Sequence, residues 1–111
     1  MKLKSYIAPV EDLDAAKRLY TALFGAEPVM DTPYYVQYET EGVIFGLDPN
    51  AAGKGITEAV GYWDVGDVDG TFKKLVDAGA TVMQEPADVG GGARTAVVRD
   101  TAGNPVGLIN G

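Results

Sequence analysis

Glu11-Asp12-Leu13-Asp14-Ala15-Ala16-Lys17-Arg18-Leu19-Tyr20-Thr21-Ala22-Leu23-Phe24-Gly25-Ala26 carries the signals of one complete helix. Leu13, Ala16, Tyr20, Leu23 and Phe24 recur at helical spacing. Asp12 stands where an N-cap belongs, Asp14 lies in the first turn where the helix dipole favours an anion, and Gly25 follows as a left-handed cap. The same signals return later in the chain. Asp67-Val68-Asp69 matches Asp12-Leu13-Asp14 at an offset of 55, Val68, Phe72, Leu75 and Val76 keep the helical spacing, and Gly79-Ala80 answers Gly25-Ala26.

Working outward from the two helices, the strands repeat as well. Val43-Ile44-Phe45-Gly46-Leu47 and Asn104-Pro105-Val106-Gly107-Leu108 each follow a turn containing Gly42 or Gly103, at an offset of 61. Before each turn lies another strand, Tyr34 to Glu39 and Arg94 to Arg99. Each helix is preceded by a strand (Leu3 to Val10, Glu58 to Val65) and followed by a short one at a proline (Glu27 to Met30 with Pro28, Thr81 to Glu85 before Pro86). The sequence predicts an α+β protein built from two tandem βαβββ units, one at about residues 1–50 and the other at about 56–111, within a single domain of 111 residues. The loop Asp48 to Ile56 joins the units. The segment Ala87 to Ala93, with Gly90-Gly91-Gly92, reads as the most flexible loop, either a lid or a permissive hairpin connection.

Composition narrows the chemistry. The chain has no cysteine, so disulfides, thiolate nucleophiles and Cys-based zinc sites are excluded, and no histidine, the commonest metal ligand and neutral-pH base. Sixteen acidic residues against 9 basic ones give a net charge of -7. The basic residues are scattered, so neither nucleic acid nor a membrane surface is expected as a partner. No run approaches the ~18 apolar residues of a membrane span, and no stretch reads as a signal peptide. The expected location is cytoplasmic. Gly53-Lys54-Gly55 lacks the spacing of a phosphate-binding loop, and the three glycines at 90–92 do not lead from a strand into a helix as a dinucleotide fingerprint does.

Two tandem βαβββ units resemble the vicinal-oxygen-chelate superfamily of glyoxalase I, extradiol dioxygenases and bleomycin-resistance proteins. The resemblance is carried by Val10 to Tyr20 with Leu23-Phe24-Gly25, by Tyr62-Trp63-Asp64-Val65-Gly66-Asp67-Val68-Asp69, and by Arg99-Asp100-Thr101-Ala102-Gly103-Asn104-Pro105-Val106-Gly107-Leu108. It implies a cupped mixed sheet with helices on its convex face. Metal-dependent members draw two ligands from each half, and the matching positions here are Ser5, Gly46, Val60 and Gly107. Those residues cannot supply the imidazole and carboxylate donors such sites use. No metal and no cofactor are expected. Relatives also pair modules, so a homodimer is expected, with the strands at Pro28 and Pro86 as sheet edges.

Side chains alternate faces along a strand. If Ser5 and Val60 face the cup, so do Leu3, Ile7, Ile44, Gly46, Glu58, Tyr62, Asp64, Pro105 and Gly107, while Tyr6, Ala8, Val10, Phe45, Leu47, Trp63, Val65, Val106 and Leu108 pack under the helices. For the remaining strands the favoured register turns Tyr34, Val36 and Tyr38 inward, with Thr95, Val97 and Arg99 as counterparts. A one-residue slip makes Tyr35 and Gln37 the lining pair instead. The candidate ligand-binding residues are Ser5, Ile7, Tyr34, Tyr38, Glu58, Tyr62, Asp64 and Arg99. Glu58 and Asp64, six residues apart on one expected strand, would be separated by roughly 20 Å and cannot share a proton. Tyrosines beside carboxylates favour a planar or cationic organic ligand, although Arg99 favours an anionic group. Three readings follow: a metal-independent binding protein similar to the bleomycin-resistance branch, a metal-free isomerase, lyase or hydrolase using one carboxylate and tyrosine hydroxyls, or an accessory module with a vestigial cup.

Overall fold

Asp12 and Asp67 start the two helices where their positions predict. In a computed structural model, which describes residues 1–111 apart from the side chain of Lys54, helix α1 is Leu13–Phe24 and α2 is Val68–Asp77. The Asp12 carboxylate accepts from the Ala15 N–H at 3.0 Å, and Asp67 accepts from Gly70 N–H at 3.0 Å. Each bond satisfies an amide that the first helical turn would otherwise leave unpaired. Gly25 closes α1 at φ 65° and donates its N–H to the Thr21 carbonyl. Gly79, at φ 111°, follows α2 in the same role.

Eight strands accompany the helices: β1 (Lys2–Pro9), β2 (Met30–Thr32), β3 (Tyr35–Thr40), β4 (Val43–Asp48), β5 (Val60–Asp64), β6 (Thr81–Gly90), β7 (Ala93–Arg99) and β8 (Pro105–Ile109). The order strand, helix, three strands occurs twice, and the fold class is α+β with mixed strand pairing, as the repeat predicts. Two compact units divide the chain. One is residues 5–59; the other joins residues 1–4 to residues 60–111. The loop after β4 thus belongs wholly to the first unit, where it forms a 3₁₀ turn at Ala51–Lys54.

In the first unit the strand order is β2-β3-β4-β1, with β1 and β4 parallel and the other neighbours antiparallel. Helix α1 lies on the face that presents Ala8, Val36, Tyr38, Phe45 and Leu47, and Leu13, Ala16, Tyr20 and Phe24 pack down onto it. Phe24 lies tilted against Tyr38 with ring centroids 5.0 Å apart, and Tyr20 lies 4.7 Å from Phe45. Tyr6 extends this aromatic layer by stacking on Phe45 at 5.7 Å, although its outer side remains exposed.

In the second unit the order is β5-β8-β7-β6, with β5 and β8 parallel. Val68, Ala96 and Leu108 form the buried centre under α2, with Val65, Phe72, Leu75 and Val106 around it. Trp63 pairs with Leu108 and so shares the helix face, but it is 39 % exposed and stands at the margin of this core rather than within it.

Strand limits differ most from expectation at β2 and β6. Strand β2 begins at Met30, after Pro28, rather than at Glu27. The segment at 87–93 is a hairpin: β6 runs to Gly90, and Gly90, Gly91 and Gly92 take φ of 97°, 62° and 81°, a turn that only glycine enters without strain. Register shifts around Gln84 and Ala87 bend β6 past Pro86, which has no ladder proton to give. Polar bonds hold the hairpin base. Arg94 bonds Asp69 of α2 through Nε (2.7 Å) and Nη2 (2.8 Å) and Asp88 of β6 at 3.1 Å, while Asn110 donates to the Gly92 carbonyl.

This clamp has a pH signature. Hydrogen bonds from the Arg94 guanidinium, with its charge behind them, hold the Asp69 carboxyl below its ordinary 3.8, and backbone and side-chain donors of Asn104 do the same for Asp100 in the β7–β8 turn. A carboxyl whose pKa folding lowers contributes stability above its unfolded value and loses it as pH falls through the folded one. The melting temperature is therefore expected to fall on acidification below about pH 4. Asp69→Asn should flatten that slope, leaving the part due to Asp100; an unchanged acid slope in the variant would contradict the clamp.

Candidate functional site

With each helix committed to one face, alternation assigns the other face of each four-stranded sheet. In the first unit Ile7, Gly46 and Gln37 are register partners across β1, β4 and β3, and Ser5, Ile44 and Glu39 form the next row. Tyr35 shares this helix-free face. In the second unit the row is Tyr62, Gly107 and Val97 across β5, β8 and β7, followed by Asp64, Ile109 and Thr95. Ser5 and Thr95 are the buried polar side chains of the two faces.

The two glycines have the same physical reason to be glycine. A Cβ on Gly46 would stand 2.7 Å from Tyr35 Cε1 and 2.8 Å from Ile7 Cδ1, with the Tyr35 hydroxyl closer still. A Cβ on Gly107 would meet the Tyr62 ring at 2.5 and 2.7 Å and the Gly61 carbonyl oxygen at 2.9 Å. Each glycine is thus the floor for a tyrosine ring. Tyr62 comes from the strand paired directly with Gly107, whereas Tyr35 reaches Gly46 from β3, next but one in register to its partner Gln37. Half-burial first, and the Asp48 charge second, push the Tyr35 phenol above its ordinary 10.0. It is therefore a proton donor at neutral pH, not a base.

The candidate residues from the sequence sort as follows. Ser5, Ile7, Tyr62 and Asp64 lie on the helix-free faces as expected. Tyr38 does not: it is 2 % exposed under α1, its hydroxyl 2.8 Å from the Thr21 hydroxyl and donating to the Lys17 carbonyl at 3.1 Å. The favoured register for β3 is therefore corrected by one residue, and Tyr35 and Gln37 are the pair on the helix-free face. The cause is that α1 offers both an apolar bed for the Tyr38 ring and partners for its hydroxyl. Tyr34 is in the β2–β3 turn and 73 % exposed, so it lines no strand. Glu58 is exposed and precedes β5, which begins at Val60, so the single strand expected to carry both Glu58 and Asp64 does not include Glu58. Asp64 accepts from the Gly66 N–H and so also shapes the turn into α2. Arg99 pairs with Pro105 on the helix-free side, but its Nη1 donates to the Gly103 carbonyl at 2.6 Å, across the β7–β8 turn. The tyrosine wall expected for a cationic ligand is not assembled: of Tyr34, Tyr38 and Tyr62, only Tyr62 stands on a helix-free face.

Could these faces hold the metal of the chelating relatives? The first unit offers Ser5 and Gly46 at the ligand positions and the second Val60 and Gly107, which is one hydroxyl and no imidazole or carboxylate. The space above both glycines is filled by tyrosine rings. Among the described residues no three carboxylate, His or Cys groups gather as ligands. The donor set does not fit a divalent metal.

Residues 2–108 match the Glyoxalase/Bleomycin resistance protein/Dioxygenase superfamily. The chain belongs to that superfamily. No curated protein matches it. Among solved structures, one described as an NAD-dependent benzaldehyde dehydrogenase from Legionella pneumophila is similar at TM-score 0.76 and 15% identity, over 95% of this chain and 96% of that one. A superfamily member from Vibrio splendidus 12B01 gives TM-score 0.72 and 14% identity over 97% and 98%. Streptomyces coelicolor methylmalonyl-CoA epimerase (S115T), in complex with 2-nitronate-propionyl-CoA, gives 0.66 and 18% over 98% and 93%. At these identities the likeness is one of fold. No helix of the described residues is long and apolar enough to cross a membrane.

Proposed function

We propose that this glyoxalase-superfamily chain is a metal-independent small-molecule binding protein, similar in role to the bleomycin-resistance branch and acting in the cytoplasm. The observation that supports this reading most is the pair of tyrosine rings seated on Gly46 and Gly107, at the positions where chelating relatives carry ligands. A side chain there displaces metal chemistry and leaves an apolar face with a few polar groups, the usual make-up of a small-molecule site. The test is incubation with a panel of aromatic metabolites and antibiotics, followed by thermal unfolding and by mass spectrometry of the recovered compound. A compound that raises the melting temperature and returns with unchanged mass supports sequestration. Conversion of the compound would support instead the metal-free isomerase, lyase or hydrolase reading.

The reading includes a homodimer. Strands β2 and β6 each pair on one side only within their units, and a sheet edge invites pairing with a second copy. Light scattering at micromolar concentration is expected to give twice the chain mass; the mass of one chain would remove this part of the proposal.

A further inference from the structure

The Tyr35 hydroxyl is a donor on the first unit's helix-free face whose chemistry has no use inside the unit. Its ring is seated on Gly46 beside Ile7, and the Thr32 hydroxyl accepts from the Tyr35 amide at 2.9 Å and donates to the Tyr35 carbonyl at 2.8 Å. Thr32 thus anchors the backbone while Gly46 seats the ring. The hydroxyl itself makes no hydrogen bond among the described residues. It is also not sealed from solvent, since no fully buried side-chain polar atom in the described residues lacks a partner. Tyr38 on the opposite face makes the contrast, because both partners of its hydroxyl are supplied by α1. A tyrosine anchored through its backbone, its ring seated on Gly46 and its donor unspent, is placed to meet an acceptor.

We propose that Tyr35 is the ligand-orienting residue of the first unit, its phenol donating to the oxygen of an uncharged, apolar-bodied molecule such as an aryl ketone, ester or amide lying against the Tyr35 ring and Ile7. This rests on the small-molecule reading above and specifies its ligand. The neighbours select against an anionic bound group. The Asp48 charge acts on the Tyr35 phenol, so an anionic oxygen there would meet a carboxylate. An ammonium group would be drawn to the Asp48 charge but cannot accept the phenol proton, so it would leave this donor unused. Ile7 and Ile44 share this face and supply apolar ground for the rest of the molecule.

The probes are acetophenone, ethylbenzene and benzoate, titrated against the full chain by NMR, with the Tyr35 ring Cζ resonance as a second readout. Acetophenone is expected to bind about tenfold tighter than ethylbenzene, the size of one neutral hydrogen bond, and to shift the Tyr35 Cζ resonance. Tyr35→Phe keeps the ring over Gly46 and should bring acetophenone down to ethylbenzene, whose own affinity stays unchanged. Benzoate should bind no better than ethylbenzene. If acetophenone binds and Tyr35→Phe leaves its affinity unaltered, or if benzoate binds best, the role given to Tyr35 is wrong while small-molecule binding stands. If none of the three binds, the small-molecule reading fails and the role of Tyr35 with it.

Discussion

Tyr38→Ala is expected to destabilise the protein by about 3–5 kcal/mol, the range for removing a large ring from a close-packed core. The ring is 2 % exposed, sits 5.0 Å from Phe24 and 6.5 Å from Phe45, and is tied to α1 through Thr21 and the Lys17 carbonyl. Its loss would open a cavity in the first unit's core and leave the Thr21 hydroxyl without its partner. Tyr38→Phe removes only the hydroxyl and should cost on the order of 1 kcal/mol. Denaturant unfolding of both variants measures this. A Tyr38→Ala variant as stable as the parent would place Tyr38 on the helix-free face after all.

Gly107→Ala is expected to cost about 1–3 kcal/mol, towards the upper end, because the added methyl overpacks a site with no give. Its neighbours are the base of the Tyr62 ring and the Gly61 carbonyl oxygen, and neither can swing aside without moving β5. For a domain near this size that is a fall of about 4–8 °C in melting temperature per kcal/mol. Gly46→Ala should cost less. There the obstacles are the outer end of the Tyr35 ring and the Cδ1 of Ile7, both of which can rotate away. Equal losses in the two variants would mean that the rings are not seated on the glycines in these different ways.

The helices and the repeat were legible because their signals are local. Asp12, Asp67, Gly25 and Gly79 act through hydrogen bonds and φ angles within their own turns, so the sequence carries them without knowledge of the rest of the fold. The matched glycines at 46 and 107 were legible as positions, and the exclusion of metal donors there followed from residue type alone. The face of β3 was not. Tyr34, Tyr35 and Tyr38 straddle both phases of the alternation, and only the partners that α1 provides for Tyr38 decide between them. Tyr34-Tyr35 also hides where the turn ends and the strand begins. In β7 the same ambiguity did no harm, since Thr95 and Val97 pair with Ile109 and Gly107 as the alternation requires. Glu58 reads as part of β5 because nothing in Glu58-Ala59-Val60 marks the strand's first residue. The long β6 was hidden by Pro86, whose bulges let a strand continue where a proline usually ends one.

The central claim is that this superfamily member binds its ligand without a metal, and the most direct measurement is a ligand titration before and after exhaustive chelation, with elemental analysis of the same samples. The account predicts no stoichiometric transition metal in either sample, an unchanged melting temperature and an unchanged affinity. A stoichiometric zinc, iron, nickel or manganese in the untreated protein, lost on chelation together with ligand binding, would contradict it.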